Sequence, residues 1–349
     1  KLTRDEDKQF TYAPELKEEP LVVSGQTSFQ PLYSPDGNEV AFLENRTTLR
    51  VINRKTKQVR TVLDGKYLYS YSDGDQHFQW SPDSKWFLVD YISVGGWNNT
   101  DIALVKADGS GEVTNLTESG YSDGDAKWVL DGKAMIWSSD RAGFRSHGSW
   151  GAERDVYIMF FDVEAYDKFN LSKEELALAE EAEKEEKEAK EKAEKEKKDK
   201  KKDKKEADKD EEKEEEVEPL VFNLENRKDR VRRLTINSSH MGDAVLTPKG
   251  DKLYYCAAFE GGYDLWERNF RENSTKLLIK NVGGGSMSID KDGKYIRQER
   301  YAGACSRSFY VGDVTVEDIK CKYDAGVLQV MVPKKDKAAI AARNRIEIE

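Results

Sequence analysis

Histidine and cysteine, the residue types most often used for metal, nucleophilic and acid–base chemistry, are few and poorly grouped. Three histidines, His77, His147 and His240, fall near inter-strand turns without partners at useful spacing, so they read as exposed loop residues rather than ligands. Cys256, Cys305 and Cys321 are odd in number and lack metal-ligand spacing, which predicts small buried residues and neither a zinc site nor a disulfide framework. No Gly-rich phosphate loop, His-Glu-x-x-His or Gly-x-Ser-x-Gly element occurs. What does recur is aspartate beside glycine, at Gly74-Asp75, Gly124-Asp125 and Gly242-Asp243, and aspartate before an aliphatic residue, at Asp101-Ile102, Asp155-Val156 and Asp264-Leu265. Asp at such corners ordinarily accepts hydrogen bonds from turn and neighbouring-strand amides. That bonding role is favoured over a metal or catalytic one, so no catalytic residue, cofactor site or metal site is assigned.

The elements that hold these aspartates repeat. A short apolar strand, a tight turn with Asp or Gly and a second β-rich strand occur five times. The turns are Ser34-Pro35-Asp36-Gly37, Ser81-Pro82-Asp83-Ser84, Leu130-Asp131-Gly132, Thr247-Pro248-Lys249-Gly250 and Asp290-Lys291-Asp292-Gly293. Proline fixes φ at the first central position of such a turn and Asp-Gly tolerates the rest of its geometry. The Gly-Asp pairs are placed before the inner strand of each unit, and the Asp-aliphatic pairs open its third strand. A fourth strand follows, as at Val113–Thr117, Val231–Thr235 and Lys276–Ile279. Four short strands per unit predict an all-β fold, a β-propeller of four-stranded antiparallel blades with at least five units visible and the set incomplete. Lys1-Leu2-Thr3 and Gln9–Tyr12 read as the remains of an earlier blade.

The chain has 349 residues, 37% of them hydrophobic, enough for a large buried core outside its charged block. A formal net charge of −10 argues against nucleic acid as the main partner, and no run of about 18 apolar residues predicts a membrane span. Asn115-Leu116-Thr117 and Asn237-Ser238-Ser239 match the glycosylation triplet, which chance readily supplies.

Charge is concentrated in residues 172–218, an insertion between the third strand of the third unit and a strand expected at Leu220–Phe222. Ser172 with Glu175 forms a capping-box pattern, Leu171 and Leu176 are placed for a hydrophobic staple, and Glu and Lys then recur at i,i+4 spacing. After Leu178 no large apolar residue appears until Val217, so a solvated helix or disordered segment is expected in preference to a docking arm.

From Arg297 the repeat stops. Cys305–Val311 and Ile319–Tyr323 are strand-like, Gly326–Val332 alternates, and Ile346-Glu347-Ile348 places two side chains on one face of an extended strand, suited to a groove on a neighbouring sheet.

Two resemblances follow from these residues. Residues 1–296 resemble the β-propeller region of bacterial tricorn-like serine peptidases, carried by Ser34–Gly37, Ser81–Asp83, Ser72–Asp75, Ser122–Asp125, the Asp-aliphatic strand openings and the Lys/Glu insertion after Phe169-Asn170-Leu171; TolB-type propellers share the same short motifs. This resemblance implies a non-catalytic domain that binds, gates or positions polypeptide substrate, and an envelope or periplasmic setting. Residues 297–349 resemble the C-terminal half of small heat shock proteins, carried by Arg307-Ser308-Phe309, the Cys321–Leu328 signature and the Ile346/Ile348 tail. It implies self-association through Ile346, Ile348 and Arg307, and a cytoplasmic setting. The junction near residues 295–300 cuts a blade in one family and a sandwich in the other, as expected of two segments joined. A protein-interaction scaffold, or a chaperone-like oligomerising protein, is the alternative reading.

Overall fold

The computed structural model of the protein describes residues 2–3, 17–145, 150–185, 219–290, 295–296, 320–324 and 327–331. The chain divides into two compact units, Lys1–Glu299 and Arg300–Glu349.

The first unit is a propeller-like array of four four-stranded antiparallel sheets. A short pair, β1 (Leu2–Thr3) and β2 (Lys17–Glu18), precedes them. Blade one comprises β3 (Ser28–Tyr33), β4 (Glu39–Glu44), β5 (Thr48–Asn53) and β6 (Val59–Leu63). Blade two comprises β7 (Phe78–Trp80), β8 (Trp86–Tyr91), β9 (Asp101–Lys106) and β10 (Val113–Asn115). Blade three has β11 (Asp123–Val129), β12 (Ala134–Ser139), β13 (Asp155–Phe160) and β14 (Val231–Arg233), and blade four β15 (His240–Leu246), β16 (Lys252–Ala258), β17 (Asp264–Asn269) and β18 (Ser274–Ile279). Each sheet runs in chain order. Of the fifth repeat only β19 (Ser288–Ile289) and β20 (Tyr295–Ile296) pair among the described residues.

The central strands β4, β8, β9, β12 and β13 read as near-continuous apolar runs because both of their faces are covered. In β8, Phe87 and Val89 pack with Ala41, Leu43 and Val51 of blade one, while Leu88 faces Met135, Trp137 and Met159 of blade three. In β12, Ala134 and Ile136 turn instead to Leu253, Tyr255 and Ala257 of blade four. Cys256 of blade four points the other way, buried with Val245, Leu265 and Met287, as expected of a small core residue. The two-residue side-chain period thus makes each central strand the wall between two cores. Each fully buried Leu or Phe contributes about 1.5–3 kcal/mol.

Three of the five repeated turns share one bonding pattern, and residues 291–294 of the fifth lie outside the described residues. Ser34 Oγ donates to Asp36 Oδ1 at 2.5 Å and accepts the Glu39 amide at 3.0 Å. Ser81 repeats this with Asp83 and Trp86, and Thr247 with Asp251 and Lys252. The openings of the third strands are also equivalent. Asp101 accepts Thr117 Oγ1 at 3.0 Å and the Ser119 amide at 2.8 Å, Asp155 accepts Thr235 Oγ1 at 2.6 Å, and Asp264 accepts the Asn281 amide at 2.9 Å.

Three expectations are corrected. Gly124-Asp125 and Gly242-Asp243 lie inside the first strands of their blades, at β-bulges, rather than before them. The bulge turns Asp125 to φ 57° and frees backbone groups for the blade alongside. Leu220–Phe222 is not a strand. Its N–H groups are used elsewhere, the Leu220 amide by Asp83 at 2.9 Å, and Phe222 plugs the seam between blades two and three against Trp86, Trp128 and Phe161. His77 is half-buried, with Nε2 bonded to the Ala126 carbonyl at 2.7 Å, and is not an exposed loop residue.

The insertion leaves between β13 and β14. It opens with α1 (Val163–Asn170), N-capped by Asp162 through the Ala165 amide, and a second helix described over residues 173–185. The predicted capping box forms: Ser172 N–H donates to Glu175 Oε2 at 2.9 Å and Glu175 N–H to Ser172 Oγ at 3.2 Å. Residues 186–218 lie outside the described residues. In the second unit, β21 (Lys320–Asp324) and β22 (Val327–Met331) form an antiparallel pair with Lys320 opposite Met331.

Candidate functional site

One end of the blades carries a site the repeats do not require. The β6–β7, β8–β9, β10–β11 and β12–β13 connections gather there. Hydrogen bonds tie them together: Thr100 Oγ1 donates to the Asp123 carbonyl at 2.7 Å, Asn99 Nδ2 to the Gly120 carbonyl at 3.2 Å, and Ser122 Oγ to the Asn98 carbonyl. The Ile92 amide donates to the Tyr67 carbonyl at 2.7 Å, joining the end of β8 to the β6–β7 loop.

Aromatic side chains stand on these loops in water. Trp97 is 50% exposed, Trp150 69% and Tyr71 87%. The rings of Tyr69 and Trp97 lie 5.5 Å apart, and those of Trp97 and Trp150 6.2 Å. Nearby, the Arg145 guanidinium stands 5.0 Å over the Tyr121 ring and pairs with Asp140 at 3.2 Å. A linked run of exposed aromatics on a positioned frame offers large contact area at low entropic cost.

Beneath the aromatics is a cavity of about 230 Å³, lined by Tyr67, Tyr69, Tyr71 and Trp97 with Asp75, His77, Asp90 and Thr100. Asp75 closes the β6–β7 loop on itself, accepting Ser70 Oγ at 2.8 Å, the Ser72 amide at 2.7 Å and the Tyr71 amide. Burial alone would raise its carboxyl, but these donors outweigh burial and hold it below the usual range. Asp90 is different. Its Oδ2 accepts the Asp125 amide at 2.8 Å, an amide exposed by the β11 bulge, while Oδ1 is sealed from solvent without a hydrogen-bond partner among the described residues. Burial, opposed by the His77 charge and helped by the Asp125 carboxylate, pushes the Asp90 carboxyl up to about 7. Gly124 is required here, because a Cβ at that position would lie 2.9 Å from Asp90 Oδ2.

Asp75, from the recurring Gly-Asp pairs, and His77 are thus brought to one cavity, although neither was assigned chemistry from sequence. Asp90, Tyr69, Trp97 and Trp150 were not singled out. Asp90 follows the apolar run Trp86–Val89, and Trp97 sits in the polar, glycine-rich segment Gly95–Asn99; a charge inside a strand and a large aromatic in a loop are the signals that mark them. Arg307, Ile346 and Ile348 lie outside the described residues. Among the described residues no group of three or more His, Cys, Asp or Glu is arranged to hold a metal, and no helix is long and apolar enough to cross a membrane.

Residues 274–349 match the sequence model of the Hsp20/alpha crystallin family, a range that starts within β18. A protein described as a probable Hsp20 family chaperone, from Onion yellows phytoplasma (strain OY-M), is 47% identical over 60 residues, 17% of this chain and 44% of that protein. The chain therefore spans less than half the length of that curated relative. Among solved structures, TolB from Acinetobacter baumannii is 15% identical, with 92% of this chain and 55% of that chain covered at a TM-score of 0.43. A structure from a study of two prolyl endopeptidases is 11% identical, covering 76% of this chain and 31% of that one at a TM-score of 0.41. A putative TolB from Agrobacterium tumefaciens is 11% identical, covering 80% and 93% at a TM-score of 0.29. At these TM-scores the likenesses add nothing to the fold, which stands on the sheets and cores themselves.

Proposed function

We propose that the propeller, residues 1–296, is a non-catalytic polypeptide-binding module, of the kind that gates or positions substrate in tricorn-like serine peptidases. The observation that carries this reading is the exposed aromatic run Tyr69, Trp97 and Trp150 on hydrogen-bonded loops at one end of the blades. Such rings take up extended chain through apolar contact with little demand on its sequence. The partner class is a polypeptide lacking stable structure. The appended segment, residues 297–349, supplies self-association through Ile346 and Ile348, a second reading favoured by the family match over residues 274–349.

The test is binding of reduced, carboxymethylated α-lactalbumin, a permanently unfolded chain, to the full-length protein. Three variants accompany it: Trp97→Ala with Trp150→Ala, Ile346→Ala with Ile348→Ala, and all four together. The propeller reading expects the tryptophan pair alone to weaken binding tenfold or more. Full retention of binding in that pair, with loss in the isoleucine pair, would assign the activity to the chaperone-like tail. Light scattering on the isoleucine pair reports self-association separately.

A further inference from the structure

We propose that the cavity beneath Trp97 is a receptor for a primary ammonium group, carried by the polypeptide as a lysine side chain or a free amino terminus. The proposal rests on the polypeptide-binding reading and names the chemical group that this end of the propeller selects.

Three features of the cavity point to an organic cation. Its walls are the rings of Tyr67, Tyr69, Tyr71 and Trp97, whose negative faces attract ammonium. The protein already uses one of them in this way, with Lys66 Nζ 4.9 Å over the Tyr67 ring, and Lys66 is not itself a lining residue. The walls include two acidic side chains. Asp75 is kept ionised by its three donors, and Asp90 joins it in the lining, its Oδ2 on the Asp125 amide and its Oδ1 closed off from solvent. No Lys or Arg lines the cavity to offset them, and the His77 Nε2 is committed to the Ala126 carbonyl.

The composition sorts between ligands. An anion would meet the Asp75 carboxylate, and an apolar side chain would leave that charge uncompensated in a site partly shielded from water. A hydrated metal ion would find aromatic carbon where it needs oxygen donors. An alkylammonium meets both demands, with its methylenes on the rings and its charge above the acids. About 230 Å³ is room for several waters at about 30 Å³ each, sufficient for a lysine side chain. The raised Asp90 carboxyl agrees with this, since an ammonium brought beside it would favour its ionised form.

The experiment is calorimetric titration of the full-length protein with four versions of one twelve-residue Leu/Ser/Gly peptide: lysine with blocked amino terminus, acetyl-lysine with blocked terminus, free terminus without lysine, and both absent. n-Butylammonium is titrated alone as a minimal probe. The proposal expects at least one amine-bearing peptide to bind tenfold or more tightly than the fully blocked one, and whichever amine gives the gain identifies the source. Asp90→Asn, which keeps an oxygen for the Asp125 amide, should cut that preference at least fivefold while fully blocked peptide binds as before. Trp97→Ala, at an exposed position, should weaken every peptide and n-butylammonium. Equal binding of all four peptides would overturn the ammonium site and leave the polypeptide reading standing. Binding of n-butylammonium without binding of any peptide would support the site and remove that reading. Failure of every ligand would overturn both.

Discussion

Asp90→Asn keeps the shape of the side chain and an acceptor for the Asp125 amide, but it removes a titrating group, so its effect on stability depends on pH. The folded-state carboxyl is raised by burial from 3.8 to about 7, with His77 opposing and Asp125 adding to the shift. Between these values the folded protein retains a proton that the unfolded chain has released. Stability of the parent therefore falls as pH rises through that window and levels off above it. Asparagine has no such dependence. From pH 5 to pH 8 about two pH units lie inside the window, at about 1.4 kcal/mol each, so the variant should gain roughly 2.7 kcal/mol on the parent across that interval. The assay is urea unfolding of full-length parent and variant at several pH values, read by tryptophan fluorescence. All seven tryptophans fall between Trp80 and Trp266, so the signal reports the propeller. A stability difference that stays constant with pH, or a variant that loses ground on the parent as pH rises, would refute an Asp90 held neutral by burial.

Ser81→Ala removes a fully buried hydroxyl that bonds Asp83 at 2.5 Å and accepts the Trp86 amide at 2.9 Å, and should cost about 1–2 kcal/mol in urea unfolding. Asp155→Ala strands the donors Thr235 Oγ1, Ser238 Oγ and Arg233 and should cost about 3 kcal/mol; faster amide hydrogen exchange in Val231–Arg233 than in Asp264–Asn269 would place the damage at β14. Phe222→Ala empties the seam against Trp86, Trp128 and Phe161, with an expected loss of about 2–3 kcal/mol and earlier proteolysis within residues 219–226.

The blades were legible because their markers are local. Ser34-Pro35-Asp36-Gly37 and its repeats specify a turn within six residues, and Asp101, Asp155 and Asp264 announce the same strand start through the same bonds. Ser172 and Glu175 specified a helix start for the same reason. Contacts between blades left no comparable trace. Phe222 belongs to an apolar triplet that reads as a strand, and only the presence of Trp86 and Trp128, far away in sequence, makes it a plug. His77 and Asp90 look like isolated polar residues until the bulge at Asp125 brings an amide and a carbonyl across from the next blade. The aromatic end was hidden similarly, since Tyr69, Trp97 and Trp150 come from three separate connections.

The position of the charged insertion has a consequence for how the protein is made. Blade three finishes three strands at Phe160, but its fourth begins only at Val231, so about 70 residues of chain must leave the ribosome before that sheet has an outer edge. During that interval β13 offers unpaired backbone to any extended segment nearby. Closing so long a connection costs about 2.5 kcal/mol more than a four-residue hairpin. The return leg offsets it stepwise, through Leu220 on Asp83, Phe222 in its seam, Arg227 on the carbonyls of Asn115 and Leu116, and Arg230 on those of Phe160 and Asn223. The third blade is therefore a latch held by its mooring points, and until its outer strand docks the edge at β13 is open to another chain.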